Sequence, residues 1–218
     1  MNHTGKICIL LGLLLIAAAL LLTAYNLYDE LRAEQSARQA VDRLEESFHA
    51  ETEDTPAQPE EQTSASEEIE IPDYVLNPDM EMPVETINGI DYIGVLRIPQ
   101  LELELPVISQ WSDSALKIAP CRYSGSAYSA GFTIAAHNYR SHFGNLKNLR
   151  EGDVLTFTDM DGNVFTYTVA ACETLPPSAV EEMESSAWDL TLFTCTVGGQ
   201  SRITIRCETA LTNESDQS

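Results

Sequence analysis

Basic residues are scarce in this sequence, in which 12 Lys and Arg stand against 34 Asp and Glu and give a formal net charge of −22. The acidic excess is concentrated in residues 26–73 and in the C-terminal tail. Because nucleic acids and anionic membrane surfaces attract cationic proteins, this balance excludes both as docking partners. We interpret the charge as promoting solubility and extension of a tether, and attraction of a basic partner is the alternative.

Metal-binding patterns are also absent. The five cysteines form no CxxC pair and no Cys/His pair at zinc spacing. The sequence therefore predicts no metal ion and no cofactor. Cys172 and Cys207 each stand at the end of an apolar stretch predicted as a strand, so we expect buried thiols there. A disulfide between the two is the alternative in an oxidising compartment.

Long apolar runs are few, and the clearest spans residues 7–25, contains no charged residue and follows Lys6. Its length suits one membrane-spanning helix. The lysine favours a cytoplasmic N-terminus, residues 1–6, with the rest of the chain outside the cell. A cleaved signal peptide is the alternative, but the run is longer than the apolar core of such a peptide. We therefore expect a single-pass anchor.

The next three segments differ in composition. Apolar residues at helical spacing over 26–48 predict an amphipathic stalk that continues out of the membrane. Residues 49–73 offer almost nothing to bury, which predicts a disordered acidic linker that separates the globular part from the membrane. Apolar side chains return in 74–90, around Pro78 and Pro83. This predicts an extended strap packed on the domain or a lid over its active groove.

Strand patterns dominate residues 91–208, and a polar tail follows at 209–218. We predict strands near 92–98, 103–109, 121–124, 131–137, 153–158, 163–172, 189–195 and 201–207. Short helices are expected near 112–117, 144–149 and 178–183. Eight short strands with few helices predict a mostly β domain, a closed barrel or a sandwich rich in antiparallel pairs.

Cys195 ends one predicted strand, and Arg202 begins the next after a turn at Gly198-Gly199. The turn should bring the thiol close to the guanidinium. Such a pair suits attack of a thiolate on a carbonyl, with a fixed cation near the developing negative charge. Arg206 lies on the same strand face and is the alternative cation, but Arg202 is nearer the turn.

The same reaction needs a proton acceptor, and the sequence has four histidines. His3 precedes the apolar run, and His49 lies in a polar stretch before the linker. His137 ends the apolar run 131–136, and rigid strand ends commonly carry catalytic groups. His142 falls in the polar loop beyond, where we expect a solvated surface position. We therefore select His137.

These residues carry a family resemblance. The string TLFTC at 191–195, followed by Arg202, resembles the sortase signature TLxTC…R, and His137-Asn138 after an apolar strand resembles the sortase histidine. The similarity runs from about Asp91 to Glu208. It implies an eight-stranded sortase-type β-barrel in which Cys195 is the nucleophile, His137 the general acid and base, and Arg202 the cation that stabilises substrate or oxyanion. Many sortases have Gly before the histidine, where this chain has Ala136.

The resemblance implies a membrane-anchored cysteine transpeptidase of a Gram-positive-type cell surface. Such an enzyme cleaves an LPxTG-like sorting motif of secreted proteins through a thioacyl-enzyme. It then transfers the protein to an amine of a peptidoglycan precursor. The sequence has no second apolar run near its C-terminus, and residues 168–190 are too few for the inserted helix of class B. Classes A and D are therefore the nearest types.

Other classes of function fit less well. L,D-transpeptidases have Arg almost directly after the Cys, whereas six residues, 196–201, intervene here. NlpC/P60-type peptidases, another class with a Cys-His pair, have Cys before His in the chain. An anchored extracellular binding module is the non-enzymatic alternative. Such a module would bury Cys195, so the reactivity of that thiol discriminates between an enzyme and a binding module.

Overall fold

The structure is a computed structural model that describes residues 3–53 and 71–210. Its α-helices are α1 (His3–Glu53), α2 (Asp73–Leu76) and α3 (Val180–Met183). Short 3₁₀ helices occupy Pro99–Leu101, Ala115–Lys117 and Leu146–Asn148. Most of the expected linker and nearly all of the expected tail, residues 54–70 and 211–218, lie outside the described residues.

Nine strands form one sheet in the described chain. They are β1 (Glu85–Ile87), β2 (Ile90–Ile98), β3 (Leu103–Ile108), β4 (Cys121–Ser124), β5 (Phe132–Ala136), β6 (Val154–Asp159), β7 (Val164–Leu175), β8 (Leu190–Cys195) and β9 (Arg202–Thr209). Their order is β1-β2-β3-β4-β5-β8-β9-β7-β6, and an additional β2–β6 pairing closes eight of them into a barrel. The predicted eight-stranded barrel is thus confirmed. β1 is an extra strand beside β2, within the segment expected as a strap.

The barrel interior is filled by apolar side chains from alternating strand positions. Phe132 of β5 and Phe157 of β6 are fully buried and meet edge to face, with ring centroids 5.1 Å apart. Leu192 of β8 and Ile205 of β9 are fully buried in the same core. This packing anchors β5, β8 and β9, the three strands whose ends carry the candidate catalytic residues.

Helix α1 consists of two regions with different surroundings. Its first region is exposed, and within the described residues α1 is the one helix long and apolar enough to cross a membrane. Its second region buries Ala33, Ala37, Ala40 and Leu44, which recur at helical spacing on one face. That face packs against β3 and β1. The stalk therefore lies along the barrel instead of standing free of it, and the helix continues to Glu53, into the expected linker.

The segment before β1 packs on the barrel wall. Tyr74 stacks on Tyr128, with ring centroids 4.8 Å apart, and contacts Phe165 at 5.2 Å. Met82 is buried in the main core, and Glu81 lies 3.9 Å from Arg122. Part of the segment 74–90 is therefore in contact with the barrel.

Candidate active site

Strand pairing brings the ends of β5, β8 and β9 together. β5 and β8 are parallel, with Ala136 opposite Thr194, so His137 and Cys195 follow at the same edge of the sheet. Thr194 Oγ1 also donates a hydrogen bond to the Ala136 carbonyl at 2.8 Å, which ties the two strand ends. On the other side, Cys195 pairs directly with Arg202 of antiparallel β9. The three residues selected from the sequence therefore meet at one edge.

All three line one cleft of about 230 Å³. Cys195 and Arg202 are partly exposed, so a ligand can reach them. The remaining wall is mainly apolar and aromatic, formed by Trp111, Asp113, Leu116, Tyr123, Ala135, Ala136, Pro177, Val180, Met183 and Phe193. Among the described residues, none from the segment 71–84 lines it. The cleft can therefore hold a short apolar stretch of an extended chain beside the thiol.

Most of this wall was not predicted from the sequence. Trp111 packs on Tyr123 at 5.8 Å, and Tyr123 on Phe193 at 5.1 Å, both edge to face. Trp111 is nevertheless 46% exposed. The sequence did offer one sign that Trp111 could line a binding surface, since it is a large aromatic residue in a polar loop. The place of Pro177 over the cleft depends on the tertiary fold.

The turn between β8 and β9 holds Arg202 in place. Gly198 and Gly199 have φ angles of 84° and 70°, a left-handed conformation that glycine adopts without steric cost. Thr196 and Ser201 close the turn, since the Thr196 N–H donates to the Ser201 carbonyl at 2.9 Å. Arg202 Nη1 donates to the Gly199 and Ser201 carbonyls, both at 3.2 Å. These acceptors are neutral, so they orient the guanidinium without neutralising its charge.

Arg206, the alternative cation, lies away from the cleft. It is 2% exposed and pairs with Thr191, four residues before Cys195. Its Nε donates to Glu173 Oε2 at 2.9 Å, and its other nitrogens donate to the Thr191 hydroxyl and the Glu182 carbonyl. A guanidinium with these partners in the barrel wall stabilises structure and does not face a substrate.

The imidazole of His137 is half-buried beside several charged groups. Burial lowers its pKa, Lys117 lowers it further, and Asp29 and Asp113 act in the opposite direction. The net lowering of the pKa favours the neutral imidazole at pH 7. A neutral imidazole can accept a proton from a thiol or an amine.

His142 contradicts the expectation of a solvated position, because it is fully buried. The loop folds back on itself, with the His142 N–H donating to the Tyr139 carbonyl at 3.0 Å and the Phe143 N–H to the His137 carbonyl at 3.2 Å. Both ring nitrogens lack a hydrogen-bond partner within the described chain. Burial, and then the neighbouring His137, lower the pKa of His142 to about 4. His142 is therefore a neutral packing residue near pH 7.

The three other thiols of the barrel domain are poor nucleophile candidates. Cys121, Cys172 and Cys207 are all free, so the alternative of a Cys172–Cys207 disulfide is not realised. Cys207 is buried as expected, whereas Cys172 is exposed, contrary to the burial expected for it. Burial raises the pKa of Cys121 to about 12 and that of Cys207 to about 12. Partial desolvation, and then Glu151 and Asp153, raise the pKa of Cys172 although the residue is exposed. The thiolate is the reactive form, so these three sites disfavour it.

Within residues 3–53 and 71–210, no three His, Cys, Asp or Glu side chains gather as a metal site would require. The cleft itself offers three reactive groups. It combines a thiol, an imidazole and a guanidinium at the rim of an apolar groove. This combination suits acyl transfer through a covalent thioester.

A family model described as a sortase domain matches residues 96–210, slightly more than half of the chain. No curated protein matches the chain in sequence. Among solved structures, a sortase D5 transpeptidase from Clostridium perfringens is similar, with 21% identity and a TM-score of 0.50 over 58% of this chain and 82% of that one.

Two further structures are similar at comparable levels. For sortase C1 from Streptococcus agalactiae, the identity is 23% and the TM-score 0.51, over 59% of this chain and 72% of that one. For a lid mutant of sortase A from Corynebacterium diphtheriae, they are 19% and 0.51, over 83% of this chain and 98% of that one. At such identities, these likenesses establish a shared fold.

Proposed function

The chain belongs to the sortase family of cysteine transpeptidases, and from that premise we propose that it cleaves an LPxTG-like sorting motif with Cys195, His137 and Arg202. The observation that carries these roles is the meeting of three strand ends at one cleft. The apolar wall suits the Leu-Pro part of such a motif, because it can bury both side chains.

In the first half-reaction, the Cys195 sulfur attacks the carbonyl carbon of the scissile peptide bond. His137, neutral at pH 7 because its pKa is lowered, takes the thiol proton. Arg202 stabilises the negative charge that develops on the carbonyl oxygen, and its planar forked guanidinium suits this task. The imidazolium of His137 then gives the proton to the departing amine as the C–N bond breaks. The product is a thioacyl-enzyme.

In the second half-reaction, an acceptor amine attacks the thioester carbonyl. His137 removes a proton from the attacking nitrogen and returns it to the sulfur as the C–S bond breaks. A new amide forms, and the thiol is regenerated. Two steps through a thioester replace one difficult amide exchange. We propose that the acceptor is an amine of a peptidoglycan precursor and the donor a secreted protein that bears the sorting motif.

We propose a location for the protein from the composition of α1. Residues 7–25 would cross the membrane once, with the Lys6 end in the cytoplasm and the catalytic domain outside. Residues 26–48 continue the helix, and their buried face would hold the barrel close to the membrane surface. Residues 74–90 would serve as a strap on the barrel wall, since Tyr74 and Met82 pack there.

Mass spectrometry of the full chain, incubated with a panel of sorting-motif peptides in detergent micelles, tests this function. We expect an acyl adduct on Cys195 that an added amine releases as a transpeptidation product. Cys195→Ala should abolish both the adduct and peptide cleavage while leaving the thermal unfolding temperature near that of the wild type. Cys172→Ala is the matched control and should retain activity, because Cys172 lies outside the cleft. An adduct on Cys172, or one that persists in Cys195→Ala, would overturn the assignment.

A further inference from the structure

Helix α1 contacts the loop that carries His137, shortly after its long apolar run ends. Asp29 Oδ2 accepts a hydrogen bond from the Tyr139 hydroxyl at 2.6 Å. The next residue, Glu30, accepts one from the Arg140 backbone N–H through Oε1 at 2.8 Å. Each bond joins residues 110 positions apart in the chain. Two adjacent carboxylates of α1 thus hold two adjacent residues of the loop.

Tyr139, which these bonds restrain, is in direct contact with His137. Its ring lies against that of His137, with centroids 5.0 Å apart. The loop is further closed by the Gly144 N–H, which donates to the Tyr139 carbonyl at 2.9 Å. Burial and the Asp29 hydrogen bond raise the pKa of Tyr139, so its hydroxyl stays protonated and acts as the donor. A displacement of Tyr139 would therefore move the imidazole.

The groups that face His137 come from several elements. Asp29 lies on α1, Asp113 and Lys117 lie in or next to the 3₁₀ helix Ala115–Lys117, and His142 lies in the same loop. Asp29 and Asp113 raise the pKa of His137, whereas Lys117 lowers it. Cys195 and Arg202 share the cleft with it. Asp29 therefore acts on the imidazole through its charge as well as through Tyr139.

We propose that Asp29 is a positioning residue for His137, so that the helix that emerges from the membrane is a structural part of the active site. Asp29 orients Tyr139, and Tyr139 fixes the imidazole beside the Cys195 thiol. This inference rests on the proposed role of His137. It assigns to α1 a function in catalysis beyond that of an anchor.

Kinetics of the full chain in lipid nanodiscs, with a sorting-motif peptide, test the proposal. We expect Asp29→Asn and Tyr139→Phe each to lower kcat by about tenfold, the effect of losing one charge-assisted hydrogen bond. KM should stay unchanged, because neither residue lines the cleft. The loss in the double variant should be smaller than the product of the two single losses, because both variants remove the same contact.

Glu34→Gln is the matched control. Glu34 lies further along α1, and its hydrogen bond is to Arg38 of the same helix. We expect near wild-type kinetics for this variant. An equal loss of kcat in Glu34→Gln, additive losses in the double variant, or unchanged kcat in Asp29→Asn would each overturn the proposal.

Histidine NMR titration of the same samples gives a readout independent of turnover, since the chain has four histidines. Asp29→Asn should shift the His137 titration to lower pH, and Lys117→Gln should shift it to higher pH, because the removed charges have opposite signs. An unchanged His137 titration in Asp29→Asn would overturn the proposal. If the wild type forms no acyl adduct, the proposed function fails, while this titration still decides whether Asp29 acts on His137.

Discussion

Cys195 and Arg202 lie on the two strands of one hairpin, whereas His137 begins a loop whose supports come from distant parts of the chain. In the hairpin, β8 and β9 with turn 196–201, direct pairing across the sheet sets the relation between thiol and guanidinium. In the His137 loop, residues 137–145, hydrogen bonds to Asp29 and Glu30 of α1 restrain the backbone and the Tyr139 side chain.

The difference has a physical basis. Residues 195 and 202 are close in sequence, so bringing them together costs little loop-closure entropy. Backbone hydrogen bonds and two glycines with positive φ then set the geometry locally. The His137 loop instead depends on the docking of α1 on the barrel. We therefore expect the hairpin to tolerate changes in α1 and the His137 loop to respond to them.

The largest expected effect within the hairpin comes from Arg202→Lys. Lysine keeps the charge but lacks the planar fork, and we expect kcat/KM to fall by about 10²-fold, as for the loss of an oxyanion donor. Arg206→Lys is the matched control. It should lower the free energy of unfolding by about 1–3 kcal/mol, because it disturbs a buried hydrogen-bonded charge, with little change in kcat/KM. Steady-state kinetics and thermal unfolding separate the two, and reversed effects would make Arg206 the catalytic cation.

In the His137 loop, Gly144→Ala should disturb the backbone on which Tyr139 and His137 depend. A Cβ at Gly144 would lie 2.5 Å from the Asn138 carbonyl oxygen and 2.8 Å from that of Tyr139. Because backbone atoms must move, we expect kcat/KM to fall by about tenfold or more.

Gly162→Ala provides the control for that measurement. Gly162 has a φ of 80° and open space around its Cβ position, in the turn between β6 and β7. This variant should lower the unfolding temperature through backbone strain but leave kcat/KM near the wild-type value. If kcat/KM falls equally in the two variants, catalysis does not depend specifically on the backbone of the His137 loop.

The remaining prediction concerns pH and stability, and not catalysis. The pKa of buried His142 is about 4 in the fold, against 6.5 for an unperturbed histidine. Below pH 6.5, the unfolded chain binds a proton that the folded chain rejects, so stability is lost as the pH falls toward 4.

His142→Phe should remove that loss. The fall in the free energy of unfolding between pH 7 and pH 5 should be about 2 kcal/mol smaller in the variant than in the wild type. Thermal unfolding of both proteins across this range measures it. Parallel curves for the two proteins would show that His142 is not a buried neutral side chain.

The sequence predicted the hairpin well because all of its determinants are local. The alternation in TLFTC, the glycine pair and the position of Arg202 directly encode strand, turn and strand. His137 was identifiable for a similar reason, since it ends a short apolar run. The count and spacing of the strands predicted a closed barrel or a sandwich, and the sortase resemblance implied the barrel, which the structure confirms.

His142 and α1 were harder to predict. A polar loop sequence gives no sign that its chain folds back and buries a histidine. The docking face of α1 consists largely of Ala33, Ala37 and Ala40, whose small side chains carry a weak hydrophobic signal. Their burial results from the packing of β3 and β1 against them.

By itself, the sequence determined the strands, the turn, the apolar run and the nature of the reactive groups, because short-range patterns specify them. Only the tertiary structure decided that Arg202 lines the cleft with Cys195 while Arg206 lies in the barrel wall, because this depends on strand register and on partners in β7 and α3. It alone placed Asp29 against Tyr139, because no local pattern links residues 110 positions apart. Such contacts form only when packing has brought α1 and the barrel together.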